Sequence, residues 1–170
     1  MVRLEHTLES WKAVREDTAA AVEEFPAGEF GFRPAADVMT FGEIARHILQ
    51  SGHALSGLLL SGEESFATPD FLAKLAPYLP DVPEDATPAQ LAAALRDSVD
   101  RRTAELAARP ADFWAHIVTR MDGQKVTRLE MLQMLKEHEL THRAHLFLCL
   151  RMKGLVPATT RRRMAKQAAR

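Results

Sequence analysis

The sequence predicts an all-α protein, a four-helix bundle with a long crossover between its second and third helices. In four separate segments apolar residues recur at three- and four-residue steps, as they do on the buried face of an amphipathic helix. Three of these segments begin with Thr-x-x-Glu or Thr-x-x-Gln, the pattern of a helix capping box. The connection of residues 61–86 holds four prolines. So long a link indicates that helices consecutive in sequence are not simple antiparallel neighbours.

The first predicted helix lies near the N-terminus. Its inner face comprises Leu4, Leu8, Trp11, Val14, Thr18, Val22 and Phe25. Pro26 and Gly28 end this helix, because proline cannot continue it and glycine favours a turn. Residues 29–39 then have the composition of a loop.

The second predicted helix begins at a capping box formed by Thr40 and Glu43, and it ends near Gly62. Its inner face comprises Phe41, Ile44, His47, Ile48, Ser51, Leu55 and Leu58. The crossover follows. Within it, a short helix is predicted from the spacing of Phe71, Leu72, Leu75 and Leu79.

The third predicted helix begins at a capping box of Thr87 and Gln90, with Pro88 at the first helical position, where its missing N–H costs nothing. Its inner face comprises Leu91, Leu95, Val99, Arg102 and Leu106. Arg109 and Pro110 end it. The alternating residues around Asp122-Gly123 predict a turn within a small hairpin.

The fourth predicted helix begins at a capping box of Thr127 and Glu130 and ends before Gly154. Its inner face comprises Met131, Leu135, His138, His142, either His145 or Leu146, and Cys149. We expect one domain over residues 1–157, followed by a basic, solvated tail over residues 158–170.

The composition agrees with a single domain of ordinary globular type. The chain has 170 residues, of which 46% are hydrophobic and 26% charged. Its net charge of −1 gives no overall attraction to nucleic acid or to acidic lipid. No run of about 18 apolar residues predicts a membrane span, and the charged N-terminus lacks the apolar centre of a signal peptide. A single cysteine, Cys149, is compatible with a reducing cytosol. We therefore expect a cytoplasmic protein.

His138 and His142 form the most informative pair of residues. Four residues apart on a helix, they lie on one face and can hold one metal ion from the same side. His47, on another predicted helix, is a candidate third ligand. The alternative is that these histidines are hydrogen-bonded core or groove residues, since HxxxH is a common pattern and buried imidazoles need partners. The spacing alone leaves both interpretations open.

The other histidines are weaker candidates. His145 lies seven residues after His138, near the same face, and is predicted to be a non-ligand, because three ligands spread over i, i+4 and i+7 span about 10 Å of helix rise. His6, His53 and His116 are expected to be structural or exposed. No general base is evident in the sequence, and His145 and Glu139 are only weak candidates for that role. No phosphate-binding loop, GxSxG, HExxH or CxxC is present.

The chain resembles the DinB/YfiT-like family of metalloenzymes over roughly residues 3 to 157. The segment FGEIARHILQSGHAL matches the family's second helix. The segment DGQKVTRLEMLQMLKEHELTHRAHLFLCLRMKGLVP matches its last helix. The residues that match in order are His47, His138, His142, Arg143, Leu150-Arg151 and Gly154. One residue departs from the pattern, since relatives often carry glutamine where this chain has His145.

The resemblance implies a four-helix bundle, frequent homodimers and a metal site of His47, His138 and His142 that holds zinc or nickel. Some relatives are S-transferases or isomerases that use low-molecular-weight thiols, such as mycothiol or bacillithiol. We therefore expect a metal-dependent enzyme acting on small molecules, with a thiol as cosubstrate. The alternative is a non-catalytic metal- or ligand-binding stress-response protein that forms a dimer. The tail residues Arg161, Arg162 and Arg163 alone do not support a nucleic-acid partner.

Overall fold

The computed structural model describes residues 3–169 and has the predicted helical architecture. Four long helices carry the bundle, and three shorter helices and a two-stranded hairpin complete it. The elements are α1 (Leu4–Glu24), α2 (Phe41–Leu60), α3 (Phe71–Leu75), α4 (Pro88–Ala107), α5 (Ala111–Ala115), β1 (Ile117–Thr119), β2 (Lys125–Thr127), α6 (Arg128–Met152) and α7 (Ala158–Ala168).

The three predicted capping boxes are confirmed at the starts of α2, α4 and α6. At α2, the Thr40 hydroxyl accepts a hydrogen bond from the Glu43 N–H at 3.2 Å, and the Glu43 carboxylate accepts one from the Thr40 N–H at 2.6 Å. The same reciprocal bonds join Thr87 to Gln90 and Thr127 to Glu130. Each box satisfies two backbone donors that the helix itself leaves free, so local sequence fixes where these helices begin.

The four long helices form a bundle in which α1 lies diagonally opposite α2, and α4 lies diagonally opposite α6. The principal interfaces join α1 to α4, α1 to α6, α2 to α4 and α2 to α6. The crossover from α2 to α4 carries α3 and a 3-10 turn, and both rest against α2. The antiparallel hairpin pairs Val118 with Val126, and the Phe66 N–H of the crossover donates to the Thr119 carbonyl at 2.7 Å. Two consecutive pairs, α1–α2 and α4–α6, are therefore not neighbours, as the sequence predicted, whereas α2 and α4, which the crossover joins, pack against each other.

The core consists of two apolar clusters separated along the bundle axis. One includes Val22, Phe25, Phe41, Ile44, Ile48, Leu91, Leu95, Leu146 and Cys149. The other includes Leu8, Trp11, Leu55, Leu58, Val99, Leu106, Met131, Leu132 and Leu135. On each long helix the residues between the clusters are largely polar. We call this level the polar layer and define it by Arg15, Thr18, His47, His53, Ser98, His138, Glu139 and His142.

On its α1 side, the polar layer contains a buried ion pair. Glu139 Oε1 accepts hydrogen bonds from Arg15 Nε at 2.8 Å and from the Thr18 hydroxyl at 2.9 Å. Glu139 Oε2 accepts from Arg15 Nη2 and from Trp11 Nε1, both at 2.8 Å. A Cβ on Gly52 of α2 would lie only 2.6 Å from Arg15 Nη2. The glycine therefore gives the guanidinium the room that it needs between the helices.

Two elements differ from the sequence-based expectation. The short helix α5 was not predicted. The basic segment after Pro157, expected as a solvated tail, forms the exposed helix α7. Arg161 pairs with Glu24 and Arg162 with Asp17, so acidic residues of α1 hold this helix. Across the described part of the chain, no helix combines the length and the apolar character needed to cross a membrane.

Protonation of His53 is expected to account for part of the loss of stability of the fold in acid. Its Nδ1 lies 2.9 Å from the Ser98 hydroxyl oxygen, and burial, assisted by Arg102, lowers its pKa to about 4. In the unfolded chain the pKa is about 6.5, so the unfolded state binds the proton first as the pH falls. This histidine should therefore cost the fold up to about 3 kcal/mol between pH 6.5 and 4. Urea unfolding at pH 7 and pH 5 should show that His53→Asn loses about 2 kcal/mol less than wild type. Equal losses would contradict this account.

Candidate metal centre

The three predicted ligands meet between α2 and α6. His138 Nε2 lies 3.2 Å from His47 Nε2 and 3.2 Å from His142 Nε2. One nitrogen from each of the three rings lies within 4.8 Å of the other two. The structure thus brings together His47, His138 and His142, the residues that the sequence singled out. We refer to them as the histidine cluster.

Helix geometry explains why the rings converge. His138 and His142 are one turn apart on α6, so both face the same side, and His47 faces them from the middle of α2. Apolar contacts on both sides of the polar layer fix the two helices, since Ile44 and Leu146 are buried at one end and Leu135 at the other. The ligand set is therefore placed by helix packing and not by a flexible loop.

The spacing of the three nitrogens fits a metal ion. Imidazole nitrogens bind zinc at about 2.0–2.1 Å, and two such nitrogens on a tetrahedral ion lie about 3.3 Å apart. The His47–His138 and His138–His142 separations of 3.2 Å agree with this value, and all three rings offer a nitrogen within 4.8 Å of the other two. Three ligands also leave at least one coordination position free, as in catalytic zinc sites.

The electrostatics of the cluster favour neutral imidazoles, the form that binds metals. Burial lowers the pKa of His47 and of His138. The pKa of His142 is lowered to about 4, first by burial and then by the neighbouring His138 and His47. The Nδ1 atom of His142 is buried and has no hydrogen-bond partner among the described residues. At neutral pH the three rings are therefore uncharged and available as ligands.

His145 lies outside the cluster. Its ring centroid is 5.8 Å from that of His142, and its side chain borders a separate cavity of about 400 Å³ with Val38, Met39 and Ile44. Because it is not gathered with the other three rings, we expect His145→Gln to leave the metal content per chain unchanged. Elemental analysis of the purified variant checks this expectation. A loss of half the metal or more would make His145 a ligand.

The contacts that Glu139 makes exclude it as a general base. Both of its oxygens already accept hydrogen bonds within the buried ion pair, on the side of α6 that faces α1. Arg143, part of the matching sequence motif, lies 3.3 Å from Asp17 and stacks on Phe147. Neither residue faces the cluster as a free reactive group.

The other histidines lie elsewhere. His6 is exposed and lies 3.6 Å from Glu9, and His116 is exposed and lies 3.3 Å from Glu64. His53 is the buried partner of Ser98. These positions agree with the structural or exposed roles expected of them.

A cavity of about 420 Å³ borders the histidine cluster on the side of the crossover. We call it the cluster cavity. It is lined by His47, Ser51, Leu55, Phe71, Leu72, Leu75, Met121, Met134, Glu137, His138 and Thr141. Nothing in the sequence indicated that α3 and the hairpin turn would border the same cavity as α6. A positional signal was present for Ser51, Met134 and Thr141, because each lies three or four residues from His47 or His138 on the same helix.

Helical topology and site together define a bundle with three histidines gathered at its middle. The sequence profile of the DinB superfamily matches residues 10–146. The chain belongs to the DinB superfamily. None of the curated proteins matches the sequence significantly.

Solved structures share the fold. A DinB-like protein from Bacillus subtilis has a TM-score of 0.69 and 19% identity, over 88% of this chain and 92% of that one. YfiT from Bacillus subtilis, described as a probable metal-dependent hydrolase with an unusual four-helix bundle topology, has a TM-score of 0.65 and 19% identity, over 91% of each chain. The mycothiol-dependent maleylpyruvate isomerase has a TM-score of 0.64 and 21% identity, over 85% of this chain and 61% of the isomerase. These similarities confirm the predicted DinB/YfiT-like four-helix bundle.

Proposed function

We propose that this protein is a metal-dependent enzyme acting on small molecules, with one divalent transition metal ion, zinc or nickel, held by His47, His138 and His142. The observation that carries the proposal is the convergence of one ring nitrogen from each of the three histidines within 4.8 Å, with His138 Nε2 at 3.2 Å from Nε2 of both His47 and His142. A bound ion would act as a Lewis acid and lower the pKa of a water or thiol ligand.

The protein positions the histidine cluster and provides a partly apolar surface beside it. The Ser51 hydroxyl donates to the His47 carbonyl at 2.6 Å, within the α2 backbone beside the ligand. Leu55, Phe71 and Met134 give the cluster cavity apolar walls next to the histidines. A small molecule in this cavity would be held against the cluster with most of its apolar surface shielded from water.

The reaction class that we propose is S-transfer from a low-molecular-weight thiol. In such a reaction the sulfur forms a bond to an electrophilic carbon of the second substrate while the bond from that carbon to its leaving group breaks. The S–H proton is lost to solvent, and the leaving group departs with the electron pair of the broken bond. The structural likeness to a mycothiol-dependent isomerase supports a thiol cosubstrate for this chain as well. A cytoplasmic location and a homodimer belong to the same proposal.

The runner-up is a non-catalytic metal- or ligand-binding stress-response protein that forms a dimer. The cluster cavity favours the enzyme, because it gives a small molecule a path to the histidines. A purely structural metal site has four protein ligands and no open position. Transfer assays with candidate thiols and simple electrophiles, on metal-loaded protein and on His138→Ala, separate the two functions.

Metal content tests the site directly. Elemental analysis of the purified protein should find about one transition metal ion per chain, the capacity of a three-histidine site. His47→Ala, His138→Ala and His142→Ala should each lose most of it, whereas the matched controls His6→Ala and His116→Ala should keep it. Full occupancy in His138→Ala would refute the assignment.

A further inference from the structure

The cluster cavity has two chemically different sides. The inner side comes from α2 and α6 and carries the polar lining residues, which are His47, Ser51, Glu137, His138 and Thr141. The outer side comes from α3 and the hairpin turn. All four residues that these two elements contribute are apolar, namely Phe71, Leu72, Leu75 and Met121. We call these four residues the apolar wall. An occupant of the cavity therefore meets the histidine cluster on one side and the apolar wall on the other.

Backbone hydrogen bonds join the two parts of the apolar wall. The Phe66 N–H of the crossover donates to the Thr119 carbonyl at 2.7 Å, and the Thr119 N–H donates to the Glu64 carbonyl at 2.8 Å. Thr119 ends β1, two residues before Met121. The buried Phe66 ring lies 6.4 Å from the ring of Phe71, the first residue of α3. The folded chain itself thus assembles the wall, so a ligand that binds there need not order it.

Two residues of the apolar wall are open to solvent. Leu72 is 78% exposed and Met121 is 45% exposed, although both line the cavity. An apolar group seated in the cavity would remove these side chains from water, and that burial is favourable. An apolar cavity of about 150 Å³ holds benzene. The cluster cavity, with about 420 Å³, therefore has room for a substituted ring or a branched chain.

We propose that the second substrate is an electrophile carried on an alkyl chain or an aromatic ring, and that Leu72 and Met121 determine the preference for this apolar body. The inference deepens the proposed function, on which it rests for the chemistry at the histidines. The reactive carbon of the substrate would face the histidine cluster while its apolar body covers the apolar wall. Because the reactive end faces the cluster and the ion proposed to be held there, the wall places no requirement on the charge of that end.

Linear alcohols test the apolar wall without any need for turnover or for metal. 1-Butanol, 1-pentanol and 1-hexanol are uncharged and differ only in chain length. Each is titrated into ¹⁵N-labelled protein, both zinc-loaded and chelator-treated, and backbone amide shifts are followed by NMR. The amides of Leu72, Met121 and Thr141 should shift. In both forms of the protein the affinity should rise by about two- to fourfold for each added methylene, because full burial of a methylene gives about fourfold.

Substitution of the two exposed residues should remove most of this gain. Because both side chains are already open to solvent, Leu72→Gln and Met121→Gln leave the core intact. In the double variant the gain should fall below about twofold per methylene, since the alcohol chain then lies against polar amide groups. Leu79→Gln is the matched control. Leu79 is 52% exposed in the same crossover and is not among the described residues that line the cavity, so this variant should keep the wild-type gain.

Equal affinities for the three alcohols in wild type, or a gain that the double variant retains in full, would overturn the inference. So would a wild-type dimer that the double variant converts to a monomer in light scattering, because a second copy of the chain would then cover the apolar wall. Metal analysis is a separate measurement. A chain that holds no metal but shows the gain per methylene would refute the proposed function and leave the role of the wall standing. A metal-loaded chain without the gain would refute this inference alone.

Discussion

Replacing Glu139 with alanine is expected to lower the free energy of unfolding by about 3–5 kcal/mol, because it leaves the Arg15 guanidinium buried without its partner. Arg15 is fully buried, and Glu139 accepts four hydrogen bonds in this layer, two from the Arg15 guanidinium and one each from Trp11 and Thr18. For a chain of this length, such a loss corresponds to a fall of about 10 °C in melting temperature. Urea and thermal unfolding measure both quantities.

Two further variants show whether the loss comes from the unpaired charge. Glu139→Gln keeps the shape and should still destabilise the protein strongly. The double variant Arg15→Met, Glu139→Leu removes both charges and should recover most of the lost stability, since apolar side chains can replace a buried ion pair. If Glu139→Ala costs less than about 1 kcal/mol, as an exposed ion pair would, the account of this network is wrong.

Metal binding should raise the stability of the fold by about 4 kcal/mol when the free ion stands at a thousand times its dissociation constant. The reason is that the three rings are assembled only in the folded state, so the ion binds the native chain and not the unfolded one. A chelator should therefore lower the melting temperature of the metal-loaded protein by about 10 °C. Differential scanning calorimetry, with and without chelator, measures the change.

The comparison with His138→Ala makes this expectation specific to the cluster. In that variant the chelator should have no effect, because the site that couples metal to folding is gone. The exposed-site control His116→Ala should respond to chelator as wild type does, since His116 pairs with Glu64 away from the cluster. Coincident melting curves for wild-type protein, shown beforehand to be metal-loaded, would mean that the ion does not stabilise the native state.

Much of the bundle could be predicted because its signals are local. The capping boxes at Thr40, Thr87 and Thr127 fix three helix starts within four residues each. The placement of His138 and His142 on one face follows from helix geometry alone. His47 was only a candidate third ligand until the resemblance to a family supported it, since no local rule states which second helix faces the first.

The buried ion pair and the cluster cavity could not be predicted in the same way. Arg15 and Glu139 are 124 residues apart, and each looks like an ordinary surface charge within its own helix. A signal was present, because Arg15 lies between Trp11 and Thr18 on the inner face of the first helix. The cavity depends on where α3 packs against α2 and where the hairpin turn lies beside α6, and sequence periodicity carries no information about that packing.

The polar layer has a consequence for how the helices can align. At neighbouring positions of α6, Glu139 faces α1 while His138 and His142 face α2. A slip of α6 by one turn, about 5.4 Å along its axis, would separate Glu139 from Arg15 and the two histidines from His47 in the same step. We infer that the layer selects one alignment of the helices against its near alternatives. The Arg15→Met, Glu139→Leu variant separates the role of the polar layer in aligning the helices from its contribution to the free energy of unfolding. If alignment depends on the ion pair, a fully stable double variant should still bind metal more weakly than wild type.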